Sequence, residues 1–333
     1  MAIKRGVSLY SLQDSYYNGI LDLEGCVKFV AEELGATGIE LLAEQMPVGS
    51  YPDPSEKDVD WWKDLMAKYG TEPSCMDSFI DWMLYKGRIL TLKEQVQEME
   101  KDLKLASRLG FKCIRVLTPV RAEVVEASAS IAEYYNVKMG LEIHAPMSFD
   151  APWMQRYLEI CARVDSPYVG LIPDFGIFQY QPNRINQQQA LAAGARPEVV
   201  DAVVKTYKSG YAAMAALRPQ LEKEMGGLNP AEMGFIMRNS RSAYSDPDVI
   251  RKYKDLIVHF HGKFYEIDPE TLTETGINYE EPFAVMKEIG YDGFISSEFE
   301  GQGFYQTPDG NDTSYEMNEL KLHHKMMAKL LGE

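Results

Sequence analysis

The chain has 333 residues, and its 34 lysines and arginines against 50 aspartates and glutamates leave a formal charge of −16. That balance excludes nucleic acid as the main partner, because phosphate binding needs a basic footprint to release counterions. With 45% hydrophobic and 25% charged residues the composition is that of a globular protein. The length suits either two average domains or one α/β barrel of about 250 residues with additions.

No apolar run approaches the roughly 18 residues that span a bilayer. The start, MAIKRGVSLY, has no apolar stretch of signal-peptide type before Asp14. A cytoplasmic protein with no membrane partner is expected. Cys26, Cys75, Cys113 and Cys161 stand alone, with no CxxC pair and no metal-like spacing, and are expected to be free, buried thiols.

In chain order, apolar runs of strand length fall at Arg5–Tyr10, Gly38–Leu42, Glu72–Met76, Cys113–Leu117, Lys138–Ile143, Val169–Pro173, Leu256–Phe260 and Gly293–Ser297. Helical periodicity fills the gaps at Leu23–Leu34, Lys57–Tyr69, Leu92–Leu109, Arg121–Tyr135, Trp153–Val164, Pro197–Leu221, Tyr279–Ile289 and Tyr315–Leu331. Strands that alternate with helices pair in parallel through right-handed crossovers, and eight such units point to a closed (β/α)8 TIM barrel. The phrases LGATGIE, LGFKCIR and IGYDGFI place Gly35, Gly110 and Gly290 just past a helix, where a left-handed cap is expected. An open doubly wound sheet shows the same local signals.

One interval breaks the rhythm. From Asp174 to His261 is 87 residues, against 32 from Glu142 to Asp174. A helical insertion over 176–249, between strands 6 and 7, is therefore expected on the C-terminal face of one barrel domain spanning 1–333. It would serve as a lid or a partner-docking surface, or as plain helical decoration.

Four successive strand ends present an acid or an imidazole: Glu142 in GLEIHAP, Asp174 in LIPDFG, His261 in VHFHGK and Glu298 in SSEFEG. A barrel brings these ends to one mouth. Several buried carboxylates in one place are tolerable only with a cation among them, so a divalent metal is expected. Oxygen donors plus one imidazole favour Mn²⁺, with Mg²⁺ or Zn²⁺ also compatible. Strand alternation puts His144 on the Glu142 face one step nearer solvent, as a general base, a further ligand or a structural group. By the same parity Lys263 and Glu300 join His261 and Glu298, and His259 sits one layer deeper. Tyr10, Phe175 and Phe178 lie in loops where an aromatic substrate group would bind, together with Tyr16 and Tyr17. His323 and His324, flanked by Lys321 and Lys325 on the terminal helix, are expected to be exposed.

The E…D…H…E order at strand ends, with HFHGK and ISSEFEG, resembles the xylose-isomerase-like barrel superfamily. That resemblance implies that Glu142, Asp174, His261 and Glu298 hold one catalytic divalent ion. More narrowly, GVSLYSLQDSYYNGILDLEGC, GLEIHAP, PDFGIF, HGKFYEID and ISSEFEG are similar to the larger (alpha) subunit of bacterial C-glycoside deglycosidases. This implies Glu142 as ligand and His144 as base on one strand, Mn²⁺, a small second subunit, and cleavage of the sugar C1 to aryl carbon bond of a 3-oxo-C-glucoside. The chain has DFGIF where epimerases of the superfamily often carry DxxH, and its five histidines cannot build the three-zinc cluster of endonuclease IV. A metal-dependent lyase acting on a keto-glycoside by β-elimination is expected; a keto-sugar isomerase or epimerase, and a sugar-binding subunit without catalysis, are the alternatives.

Overall fold

Short apolar strands that each end in a polar group leave little choice but to pair side by side with their helices outside. In the computed structural model, which describes residues 2–305 and 312–333, they do so. The barrel strands are β1 (Lys4–Ser8), β2 (Gly38–Leu41), β3 (Glu72–Ser78), β4 (Cys113–Val116), β5 (Lys138–Ile143), β6 (Val169–Pro173), β7 (Phe260–Phe264) and β10 (Phe294–Phe299). A small antiparallel hairpin, β8 (Ile267–Asp268) and β9 (Thr273–Glu274), lies between the last two. The order β6-β5-β4-β3-β2-β1-β10-β7 is parallel throughout. Its two ends meet through bridges Leu171 to Ile257 and Asp174 to His261, which close the ring and exclude the open sheet.

Local chemistry sets the helix ends. Ser55 with Asp58 and Thr91 with Glu94 form reciprocal caps at the starts of Glu56–Tyr69 and Leu92–Leu109. Gly35, Gly110 and Gly290 take φ of 58°, 89° and 72°, the left-handed geometry that releases the chain into the next strand. All four cysteines are free and buried. Among the described residues no helix is long and apolar enough to cross a membrane.

Two elements differ from the pattern read in the sequence. The seventh strand is Phe260–Phe264 rather than Leu256–Phe260: Lys254–Leu256 forms a 3-10 turn, and Val258 N–H donates to the Leu171 carbonyl at 3.0 Å. The apolar run lies against β6 at Gly170, where any Cβ would run into the Leu256 carbonyl and Val258. Regular pairing with β10 starts only beyond it, so His261 and Lys263 are strand residues of one parity. The helix expected over Pro197–Leu221 is two, Pro197–Tyr207 and Tyr211–Glu224, because Gly210 at φ 83° interrupts it.

Five helices, Arg184–Ala192, Pro197–Tyr207, Tyr211–Glu224, Pro230–Asn239 and Asp248–Lys252, fill the interval between β6 and β7. The first four carry an apolar core of their own, built on Val199, Val203, Met214, Leu217, Phe235 and Ile236, apart from the main barrel core. Arg184 ties this unit to the barrel by reaching Glu266 and Asp268 after β7.

His323 and His324 are buried, not exposed. The Ser314–Leu331 helix lays both against β10: His323 Nδ1 and His324 Nε2 lie 2.9 and 3.0 Å from Ser297 Oγ, and the His323 ring stacks on Phe264. Polar partners, with Tyr279 and Arg5 on the far ring nitrogens, make this burial tolerable.

Candidate metal centre

Seven consecutive strands deliver an ionisable side chain to the barrel interior near its carboxyl ends. They are Glu40 from β2, Asp77 from β3, Arg115 from β4, Glu142 from β5, Asp174 just after β6, His261 and Lys263 from β7, and Glu298 from β10, all buried. Strand alternation produces this ring, since each residue stands on the inward side of a short parallel strand.

The four expected ligands come together: one donor atom each from Glu142, Asp174, His261 and Glu298 lie within 4.8 Å of one another. His261 Nδ1 is 2.9 Å from Glu142 Oε1 and 3.5 Å from Glu298 Oε2. Asp174 Oδ2 and Glu298 Oε2 accept no hydrogen bond among the described residues, and meet the Lys263 ammonium at 3.4 and 3.0 Å. Five buried carboxylates, of Glu40, Asp77, Glu142, Asp174 and Glu298, face two permanent cations, Arg115 and Lys263. Burial, with Glu298 and Glu142 nearby, accordingly pushes the Asp174 carboxyl well above the usual range despite Lys263. Burial raises Glu142 too, but the Arg115 guanidinium and the His261 ring together outweigh it and hold the carboxyl at about 2. Burial drives Asp77 up to about 7. Uncompensated negative charge, under-bonded oxygens and one imidazole facing a common point are the donor set of a divalent cation, so these residues fit the metal the sequence implies.

Around the ligands, Arg115 Nη1 donates to Glu142 Oε2 at 2.9 Å and its Nε to Asp77 Oδ1 at 2.7 Å. This leaves Glu142 Oε1 turned to the cluster. Lys263 also reaches Glu300 Oε1 at 3.2 Å. Burial would discharge its ammonium, but Asp174, Glu298 and Glu300 outweigh that and hold it well above the ordinary lysine range.

A cavity of about 230 Å³ opens above the cluster, lined by Tyr10, Gln45, Phe79, Arg115, His144, Lys263 and Glu300 with Glu142 and Glu298 at its floor. His144 Nδ1 is 2.9 Å from the Ala145 carbonyl oxygen. A carbonyl only accepts, so Nδ1 is the donor here, and in the neutral tautomer Nε2 carries the lone pair. Tyr10 is in the mouth; burial and Glu300 lift its phenol to about 12, so it stays protonated.

Phe175 and Phe178 do not line the mouth. Both are fully buried, Phe175 packing on Phe178, Tyr279 and Phe283 at ring-centre distances of 5.4, 4.8 and 5.8 Å. The 3-10 turn after Asp174 folds them back into the core, because two large rings gain more from burial than from the wet rim. Tyr17 is exposed, and Tyr16 packs against the core. Phe175→Ala is expected to cost about 3–5 kcal/mol in urea unfolding with little change in KM. Intact stability with a raised KM would return the ring to the substrate.

Glu40, Asp77 and Arg115 were not singled out from the sequence. Their signal was there: a lone charge inside each of the apolar runs GIELL, SCMDS and CIRVL.

The chain matches the xylose isomerase-like TIM barrel family over residues 29–321 and belongs to it. It is 28% identical to a C-glycoside deglycosidase alpha subunit of Arthrobacter globiformis, over 99% of this chain and 93% of that one. It is also 28% identical to a 3'-dehydrocarminate deglycosidase alpha subunit of Microbacterium sp., over 98% and 95%. Among solved structures, the IolI protein with a bound zinc atom shares the fold at a TM-score of 0.54 and 15% identity, with 99% of this chain and 98% of that one covered.

Proposed function

We propose that the chain is the metal-bearing subunit of a lyase that cleaves the sugar C1 to aglycone bond of 3-oxo-C-glycosides by C2 deprotonation and β-elimination. The observation that carries this reading is that His144, held through Nδ1 on the Ala145 carbonyl, opens on the same small cavity as the Glu142–Asp174–His261–Glu298 cluster. The names of the relatives, both deglycosidase alpha subunits, support it.

When bound, a divalent cation, Mn²⁺ by the donor set with Mg²⁺ or Zn²⁺ as alternatives, supplies Lewis-acid stabilisation of negative charge at the 3-oxo group. Glu142, Asp174, His261 and Glu298 hold it. His144 Nε2 takes the C2 proton, which the neighbouring ketone acidifies. The electron pair of that C–H bond becomes the C1–C2 double bond, and the C1–aglycone bond breaks. The departing aryl carbon must gain a proton, and the Lys263 ammonium, oriented by Glu300, is the donor in the mouth. Tyr10 walls the cavity from the β1 side.

A small second subunit belongs to this reading, since the relatives are named alpha subunits. The loop after β3 exposes Trp82, Met83, Leu84, Tyr85 and Ile89 next to Phe79 of the mouth, an apolar run suited to that subunit. The helical insertion remains a lid or a second docking surface in the same proposal.

The test is product analysis on the metal-loaded chain with its partner, using a C-glucoside before and after oxidation at C3. Free aglycone and an unsaturated sugar are expected from the oxidised compound alone. An isomerised or epimerised sugar with the aglycone still attached would replace the lyase reading with isomerase or epimerase chemistry.

A further inference from the structure

Beneath the four ligands lies a second polar layer that the proposed reaction does not use. His261 presents Nδ1 to the ligand cluster, and its other nitrogen, Nε2, faces away from it, 3.0 Å from Glu40 Oε1. Both atoms are buried and neither makes a hydrogen bond among the described residues, whereas Nδ1 pairs with Glu142 Oε1 at 2.9 Å. Glu40 Oε2 in turn is 2.9 Å from His259 Nε2, which is also 3.0 Å from Ser296 Oγ. Three strands contribute to one continuous line: Ser296 of β10, His259 before β7, Glu40 of β2, and back to His261 of β7.

Both ring nitrogens of His261 face carboxylates, Nδ1 that of Glu142 and Nε2 that of Glu40. A nitrogen that binds a cation must offer its lone pair, so with a cation at the cluster the ring proton belongs on Nε2, towards Glu40. A proton on Nε2 of His261 leaves its lone pair on Nδ1, the atom aimed at Glu142 and Glu298. From this geometry we propose that Glu40 is the positioning residue of the metal centre. It selects the tautomer in which His261 binds the cation through Nδ1, and it makes that nitrogen a stronger donor; His259 and Ser296 hold Glu40 in place. Histidine ligands are commonly tuned by such a carboxylate, and losing it costs about 10- to 100-fold in metal affinity. Without this role Glu40 is hard to account for, because a fifth buried carboxylate adds repulsion to a cluster already too negative.

The inference rests on the cation site and not on the lyase chemistry, so its readout is metal binding. Mn²⁺ titration by calorimetry on the full-length chain should give one ion per chain in wild type and in Glu40→Gln. Affinity should fall about 10- to 100-fold in Glu40→Gln, and further in Glu40→Ala, which cannot accept the Nε2 proton. The thermal midpoint of the metal-free proteins should not fall in parallel. Unchanged affinity with a lowered midpoint would overturn the proposal and leave Glu40 a structural group. Two ions in wild type and one in Glu40→Gln would also overturn it, making Glu40 a ligand. A wild-type chain that binds no Mn²⁺ would sink the metal centre itself. A measurement on wild type needs no variant to fold: pulsed electron paramagnetic resonance of the Mn²⁺ protein made with histidine labelled at one ring nitrogen. Strong coupling is expected from labelled Nδ1, and strong coupling from labelled Nε2 refutes the assignment.

Discussion

Stripping the purified complex with a chelator should abolish turnover of a 3-oxo-C-glucoside, and returning Mn²⁺ should restore it. Glu298→Gln should reproduce the loss permanently. Lewis-acid stabilisation of an enolate is worth several kcal/mol, so a loss of about 10³-fold or more in kcat is expected at roughly 1.4 kcal/mol per decade. The substitution keeps volume and removes one negative charge from a cluster where five carboxylates meet two permanent cations. Lys263 retains Asp174 and Glu300 as partners, so no buried charge is orphaned and the fold should survive. Metal analysis beside the rate measurement checks the cause. Full activity in a chain shown to be free of metal would end the proposal.

His144→Gln should cost about 10²- to 10⁴-fold, the usual worth of a general base, while leaving metal content unchanged. The imidazole is half-buried and its hydrogen bond is to the adjacent Ala145 carbonyl, so the folded state should lose only about 1 kcal/mol. Two rates should fall together, aglycone release and exchange of the sugar C2 proton with solvent, because both begin with the same proton transfer. If exchange persists at the wild-type rate while release stops, His144 acts after deprotonation and the base is another group. Lys263 is then a poor candidate, since three carboxylates keep it protonated, and Glu300 is the next to test. If the metal is lost with the imidazole, His144 is a ligand.

The barrel and the four clustered carboxylate and imidazole groups were legible in the sequence because their signals are local. An acid at the carboxyl end of a short apolar strand announces itself within six residues, as in KMGLEI, and barrel closure turns a list of such ends into one site. Glu40, Asp77 and Arg115 obey the same parity but sit inside apolar runs, where a single charge is easily read as strand-edge noise. Their meaning comes only from partners more than 25 residues away, such as Arg115 with Glu142 and Asp77. His323 and His324 were misread for a related reason: the flanking lysines are local, whereas Ser297, Tyr279 and Phe264, which bury them, are distant in sequence. Strand 7 was placed four residues early because β propensity describes a run of Ile and Val but not the Gly170 notch that draws it out of register.

The four helices between β6 and β7 that fill their own interior have a consequence for how such a chain can change over time. Substitutions that repack Val199, Val203, Met214 or Phe235 stay within that unit and do not propagate into the strands that aim Glu142 and His261. Natural variation and deliberate grafting can therefore alter this unit while the strands that carry the Glu142–Asp174–His261–Glu298 cluster are inherited unaltered. The point to preserve in any such exchange is the Arg184 clasp on Glu266 and Asp268, which with Ile185 N–H on Glu266 and Arg184 N–H on Thr275 Oγ1 joins the first of these helices to the segment that follows Lys263.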